Sequence, residues 1–297
     1  MNEKVLVVKK LSKTYGTKQV VNQVDLSIEK GSFTAILGPN GAGKSTTIAM
    51  LSTLTQATSG DIYYDGLAIQ EHLRQVRPKI GIVFQNSVLD EALSVKENLS
   101  IQAGLYKHIS QDRIDEVIAL TSLTPILKQP VSQLSGGQKR RVDIAVSVLH
   151  QPEILFLDEP TTGLDIQTRL AIWEVLQNMK AKEAMTIVLT THYLEETNVA
   201  DNVYIINSGE IIANGSAKEL IQRYTQEILT IESGELSSIC NTLGLKDEQL
   251  PLSLPCPDAQ TAIKLLGDIQ PFVDKFSYQQ GTMNDVFVAL TGKEMIS

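Results

Sequence analysis

Gly38-Pro39-Asn40-Gly41-Ala42-Gly43-Lys44-Ser45-Thr46 is the stretch that decides the fold. Gly38, Gly43, Lys44 and Ser45 stand in the fixed places of G-x-x-x-x-G-K-[ST]. Phe33-Thr34-Ala35-Ile36-Leu37 before it is short, apolar and partly β-branched, which predicts a buried strand. Ser45 to Leu51 after it can open a helix. Strand, glycine-rich loop and helix together make an anion trap. Glycines let backbone N–H groups turn inward on a phosphate, and the helix N-terminus adds partial positive charge. Lys44 would reach β- and γ-phosphates, and the Ser45 hydroxyl would bind Mg²⁺. A glycine-rich turn that merely happens to carry a lysine would lack the flanking strand and helix.

Composition sets the frame around this loop. The 297 residues suffice for one large domain or two smaller ones, and 42% hydrophobic content supports a core. No apolar run is long enough to span a membrane, and Met1 to Lys10 carries no secretory pattern. Cys240 and Cys256 have no metal-ligand spacing and read as free thiols of a reducing compartment. The net charge is −8, and residues 224–297 contribute ten acids against four bases, hence −6 of it. That balance argues against nucleic acid or anionic lipid as a direct partner of the tail, although acidity also serves plain solubility.

Along the chain, Val5–Val8 and Val24–Ile28 read as strands, with Tyr15-Gly16 in a turn between them. Ser59–Asp61 reads as a turn, Ile62–Tyr64 as a strand before a hairpin, and Ile80–Phe84 as a strand ending at Gln85. From Asn86 to about Leu134 helical spacing replaces β-rich runs, which marks a helical insert. Lys139–Leu149 continues as a helix and Pro152 stops it. Ile154–Leu157 is a continuous apolar strand of the kind a parallel sheet covers on both faces. Helix at 168–179, strand at 186–190, a helix opening at Glu195-Glu196 and a hairpin at Ser208-Gly209 complete an alternation that calls for parallel strands with crossovers. Beyond Arg223 the pattern weakens. Ile228–Ile231 is a strand, Leu250–Pro257 a proline-rich loop, and Ala259–Leu266 and Val286–Leu290 are helices.

Several residues beyond the loop carry chemistry. Asp158 ends an apolar strand, where an open sheet presents ligand-facing groups, and would hold Mg²⁺. Glu159 projects differently and could take a proton from, or orient, a water attacking a γ-phosphate. Gln85 also ends a strand, and its neutral amide can ligate Mg²⁺ or position water. His192 could hydrogen-bond a γ-phosphate, whereas His72, His108 and His150 read as structural. Tyr15 could stack on a purine, although a tyrosine near a turn is ordinarily packed on the core edge. Ser135-Gly136-Gly137-Gln138 at a helix start is a second anion site. One nucleotide cannot use two such cradles far apart in one sheet domain. The economical solution is two copies facing head to tail, each cradle closing over the nucleotide of the other.

With these motifs in this order, the chain resembles the nucleotide-binding subunit of an ATP-binding-cassette (ABC) transporter over about residues 4–223. The resemblance makes Tyr15 the adenine-stacking loop and Gly38 to Ser45 Walker A, with Pro39, Asn40, Gly41, Ala42, Gly43, Lys44 and the following Thr46 around the phosphates. It makes Gln85 the Q-loop, Ser135 to Gln138 the signature, Ile154 to Asp158 Walker B, Glu159 the catalytic base, Asp165 of Gly163-Leu164-Asp165 the D-loop acid, and His192 the switch histidine. Arg140-Arg141-Val142-Asp143-Ile144-Ala145, Thr191 to Glu196 and Asn284 to Gly292 are similar to the daunorubicin-resistance-type branch. The resemblance implies an α/β fold: a P-loop NTPase (RecA-like) core with a parallel sheet, an antiparallel β-subdomain and a helical insert at about 86–150. A small α+β appendage follows at 224–297. It also implies ATP and Mg²⁺, a catalytic trio of Lys44, Glu159 and His192, and metal contacts from Ser45, Gln85 and Asp158. The partners it implies are a second copy in an ATP-sandwich homodimer and a separate polytopic transmembrane permease, with no nucleic acid, at the cytoplasmic face of the membrane. Export is the favoured direction. An importer ATPase, a soluble ABC-type ATPase and an ATP-binding regulatory switch are the alternatives.

Overall fold

The computed structural model describes residues 3–246 and 249–293. Its contacts divide the chain into two units that meet at Ser216/Ala217. In the first unit, β1 (Lys4–Tyr15), β2 (Lys18–Glu29), β4 (Ser59–Tyr64) and β5 (Leu67–Ala68) form an antiparallel sheet in the order β2-β1-β4-β5. A second sheet has the order β10-β9-β3-β8-β7-β6 and comprises β3 (Phe33–Leu37), β6 (Ile80–Val83), β7 (Ile154–Asp158), β8 (Thr186–Thr191), β9 (Asn202–Asn207) and β10 (Glu210–Gly215). Strands β9, β3, β8, β7 and β6 run parallel, and β10 joins as an antiparallel edge. Every residue of β3 and β8 is buried, as the middle of a sheet covered on both faces requires.

Helix α1 (Lys44–Leu51) packs between the two sheets. Ile48, Met50 and Leu51 share one apolar cluster with Leu6 and Ile62 of the first sheet and with Ile36, Phe156 and Val188 of the second. The Tyr204 hydroxyl accepts from Ser27 N at 2.9 Å and donates to Ser27 O at 2.8 Å, tying β9 to β2 across 177 positions. A short α2 (Leu73–Val76) precedes β6. The helical insert holds α3 (Val95–Gly104), α4 (Gln111–Leu120) and α5 (Gly136–Val148), with serine N-caps at Ser94, Ser110 and Ser135. Gly81 lets α5 lie close on β6, since an added Cβ would meet Ser147 O at 2.6 Å. Helix α6 (Ile166–Glu183) leads into β8, with Trp173 edge-on to Phe33 at 5.5 Å.

The second unit contains α7 (Ala217–Tyr224), α8 (Leu236–Leu243), α9 (Ala259–Ile269) and α10 (Met283–Thr291). Its antiparallel sheet has the order β12-β11-β13, built from β11 (Glu227–Gly234), β12 (Leu252–Cys256) and β13 (Val273–Gln279). Leu229, Ile231, Ile239, Leu252, Ala262 and Ile269 form its core.

Four sequence expectations change. Ser59–Asp61 is no turn but the start of β4, where Gly60 at φ +90° lies against the Lys10 backbone at a bulge. Leu250–Pro257 is not a loop throughout: 252–256 is a strand, and Pro255 is tolerated because β12 is an edge. Glu195-Glu196 lies in a 3₁₀ helix, Leu194–Val199, instead of opening an α-helix. Helix α7 groups with the second unit because it packs on α10, so that unit starts at 217 where the sequence pattern changed at 224.

Candidate nucleotide site

Parallel register brings distant residues to one sheet edge. Leu37 pairs with Thr191, Asp158 with Thr190, and Val83 with Leu157. Gly38, Glu159, His192 and Gln85 therefore leave their strands side by side, at the carboxyl ends where open α/β sheets bind ligands. A cleft of about 720 Å³ opens there. Asn40, Gly41, Gly43, Lys44, Ser45, Thr46, Gln85, Glu159 and His192 all line it. Gly43 is the N-cap of α1 at φ +102°, with no side chain capping the helix, so the first N–H groups of α1 face the loop. Gly38 must be glycine for a different reason, since a Cβ would lie 2.3 Å from Ile206 O.

Lys44 is 4% exposed. Its ammonium donates to Gly38 O at 2.8 Å and Pro39 O at 3.1 Å, and lies 3.1 Å from Glu159 Oε1. Ala42 N also donates to Pro39 O, which closes the loop. The Ser45 hydroxyl donates to Asp158 Oδ1 at 3.0 Å. These hard oxygen donors suit Mg²⁺, which takes few protein ligands and completes its shell with water and phosphate.

Glu159 sits in the left-handed region at φ +46°, unusual for a residue with a side chain. Thr190 holds it there. The Thr190 hydroxyl accepts from Glu159 N at 3.0 Å and donates to Asp158 Oδ1 at 2.6 Å. The Thr162 hydroxyl donates to Glu159 Oε2 at 3.1 Å. His192 Nδ1 is 3.3 Å from the same oxygen, buried and without hydrogen-bond geometry. Burial, the largest single influence, would raise the Glu159 carboxyl, but Lys44, His192 and Thr162 together outweigh it. The group is thus held below its ordinary 4.5 and is a carboxylate at neutral pH.

The remaining predicted residues lie elsewhere. Tyr15 ends β1, half exposed, with Lys13 Nζ 4.9 Å from its ring centre, and does not line the cleft. Ser135 caps α5. Its hydroxyl accepts from Gln138 N and its own N–H donates to Gln138 Oε1, leaving the Gly136 and Gly137 N–H groups ahead of the first intrahelical bond. Asp165 caps α6 by accepting from Thr168 N at 3.0 Å. The two helix starts touch, for a Cβ on Gly137 would be 2.0 Å from Thr168 Cγ2. The starts of α5 and α6 thus adjoin each other, and neither Ser135 to Gln138 nor Asp165 lines the cleft. Sequence reading missed Thr190 and Thr162, which support Glu159, and Lys18, Gln19, Val20 and Ser208, which complete the cleft wall. The threonine run before His192 was the available signal for Thr190.

Similar known proteins agree with the geometry. The ABC transporter domain family matches residues 21–162. "Daunorubicin resistance ATP-binding protein DrrA3" of Streptomyces coeruleorubidus is 33% identical, covering 99% of this chain and 98% of its own. "Nod factor export ATP-binding protein I" of Cupriavidus pinatubonensis is 34% identical, covering 98% and 92%. A solved ATP-binding cassette, dimeric in a post-hydrolysis state with ADP and Pi, superposes with a TM-score of 0.64 at 29% identity, covering 71% of this chain and 98% of its own. Solved cassettes of this kind are dimeric. No helix among the described residues is long and apolar enough to cross a membrane. With a phosphate loop, a paired Asp158–Glu159 strand end and relatives matching over nearly its whole length, this chain belongs to the ATP-hydrolysing, ATP-binding subunits of ABC transporters.

Proposed function

We propose that two copies of this chain close head to tail over two ATP molecules and power export through a separate polytopic membrane subunit, at the cytoplasmic face. The observation that carries the two-copy reading is the split of the motifs. Lys44, Ser45, Asp158, Glu159 and His192 converge on one cleft, while Ser135 to Gln138 presents a second anion-binding helix start that does not line it. A second copy supplies the missing cradle, and two-fold symmetry satisfies both sites at once. Export follows from the relatives named for daunorubicin resistance and Nod factor export, which match from end to end.

In this reading Lys44 and the α1 N-terminus bind the β- and γ-phosphates. Tyr15 stacks on the adenine, and the partner copy's signature serine closes on the γ-phosphate. Ser45, Asp158 and Gln85 would hold Mg²⁺, whose charge neutralises the phosphates. Glu159, ionised at neutral pH, accepts the proton of the attacking water. His192, 3.3 Å away, is placed to hydrogen-bond the γ-phosphate and keep Glu159 aimed. Asp165 fixes the start of α6 and with it the neighbouring signature helix. Glu159→Gln keeps the side-chain shape and removes the base. It is expected to bind ATP normally, lose hydrolysis by about 10²–10⁴-fold, and accumulate as a dimer with ATP in gel filtration. A monomer only, under saturating ATP, counts against the mechanism. Stable co-purification with a polytopic membrane protein, and substrate accumulation in inside-out vesicles, test the partner and the direction.

A further inference from the structure

Asp143 lies on the signature helix, and none of the steps above uses it. It is 7% exposed on α5, two turns beyond Ser135. A buried carboxylate needs partners. Asp143 accepts from the Ser87 hydroxyl at 2.7 Å and lies 3.7 Å from Arg140 Nη1, one turn back on the same helix. Arg140 is itself 8% exposed. Burial works against both charges, pushing the Asp143 carboxyl up and the Arg140 guanidinium down. The guanidinium is nevertheless kept in place, and its two ends grip consecutive carbonyls: Nη1 donates to Phe84 O at 2.6 Å and Nη2 to Gln85 O at 2.8 Å. A rigid planar fork matches such a pair, one nitrogen to each carbonyl, and fixes the direction of both bonds at once. The backbone of Gln85 is thereby fastened to the helix that begins at Ser135, with Ser87 fastened to the same helix through Asp143.

We propose that Arg140, held by Asp143 and Ser87, is a positioning residue for Gln85. The clamp makes the strand-end glutamine of one cleft and the signature helix serving the other cleft move as one piece. The inference rests on the reading of Gln85 as a working residue of the cleft.

A purely structural tie exists for comparison. Arg113, equally buried, donates to Glu183 Oε1 at 2.6 Å and Val148 O at 2.8 Å and touches none of the proposed site residues. Two measurements on the full-length protein separate the possibilities. The first is hydrogen exchange without nucleotide. Arg140→Gln should speed exchange at residues 84–88 by about tenfold or more, and Arg113→Gln should leave that segment unchanged. The second is a cycle of ATPase kinetics. Arg140→Gln should lower kcat about tenfold with KM within about twofold, because geometry and not ground-state binding is disturbed. In a Gln85→Ala background the same change should add less than about twofold. Asp143→Asn keeps an acceptor for Ser87 but loses the charge. It should show a smaller effect of the same pattern, and it carries both measurements should Arg140→Gln fail to fold. Unaltered exchange at 84–88, or effects of Arg140 and Gln85 that simply multiply, overturns the clamp while leaving the role of Gln85 intact. Full activity in Gln85→Ala overturns that role and the clamp with it.

Discussion

The ion pair between Lys44 and Glu159 permits a quantitative test. At 3.1 Å, with side chains only 4% and 9% exposed, the gross Coulomb attraction at an effective dielectric of about 20 is about 5 kcal/mol. Desolvation of both groups offsets part of it. Removing one partner strands the other. Lys44→Met leaves the carboxylate facing the Thr162 hydroxyl and His192 only. Glu159→Gln is milder, because the amide oxygen and the carbonyls of Gly38 and Pro39 still accept from Lys44. A double-mutant cycle in urea, without nucleotide, should give a coupling of about 2–3 kcal/mol, well above the 0.2–1 typical of exposed pairs. Trp173 is the single tryptophan and lies in the first unit, so its fluorescence follows that unit's transition. The pH dependence carries a sign. In the wild type the Glu159 pKa is lowered, so its contribution is present above about 4.5 and is lost as pH falls through the lower folded value. In Lys44→Met burial is opposed only by His192 and Thr162, so the folded value lies above that of the wild type. The stability deficit of that variant therefore widens as pH rises from the acid side, through the lowered wild-type value, to pH 7. A coupling below about 0.5 kcal/mol, or a deficit that does not change with pH, refutes the argument.

Three further outcomes follow from named contacts. Gly137→Ala should cost about 1–3 kcal/mol, because its Cβ meets Thr168 Cγ2, whose rotamer is fixed by the Thr168 hydroxyl donating to Asp165 at 2.7 Å. Adding Thr168→Ser, which deletes that methyl, should restore most of the loss in thermal melts. Thr190→Val keeps the shape but leaves Glu159 N unpaired. It should cost about 1–3 kcal/mol and depress kcat more than it changes nucleotide affinity in fluorescent-nucleotide titrations. Tyr15→Ala should weaken ATP binding by about 1 kcal/mol or more, roughly fivefold, while Tyr15→Phe keeps the ring and the affinity.

The sheet edge is legible in the sequence because apolar runs of β-branched residues alternate with helical spacing, and each run ends on a chemical residue. Phe33–Leu37 ends at Gly38, Ile154–Leu157 runs into Asp158 and Glu159, and Thr186–Thr190 approaches His192. The second unit was harder. Helices α9 and α10 show in the spacing of apolar residues, whereas sequence reading missed α7 and α8, β12 contains Pro255, and β13 mixes charged, polar and aromatic residues over a partly exposed face. Propensity says little where an edge strand is set by its neighbour, as pairing with β11 sets both. The supporting contacts around Glu159 were illegible for a different reason. Thr190 acts on Glu159 from 31 positions away, through a register that only the parallel pairing of β7 and β8 creates. Arg140 and Ser87 stand 53 apart in sequence, and their common tie to Asp143 depends on how α5 lies against the chain leaving β6.

The shared site admits a direct measurement by mixing. Lys44→Ala disables the phosphate loop of one copy and Ser135→Arg the signature of another, and each variant alone should be inactive. In a two-fold head-to-tail pair, the mixed dimer places both defects in one site and leaves the other site whole. An equimolar mixture that exchanges subunits should therefore recover about one quarter of the wild-type ATPase rate. A mixture that stays as inactive as its components despite demonstrated exchange, or a Ser135→Arg protein that turns over ATP at full rate by itself, contradicts the shared site.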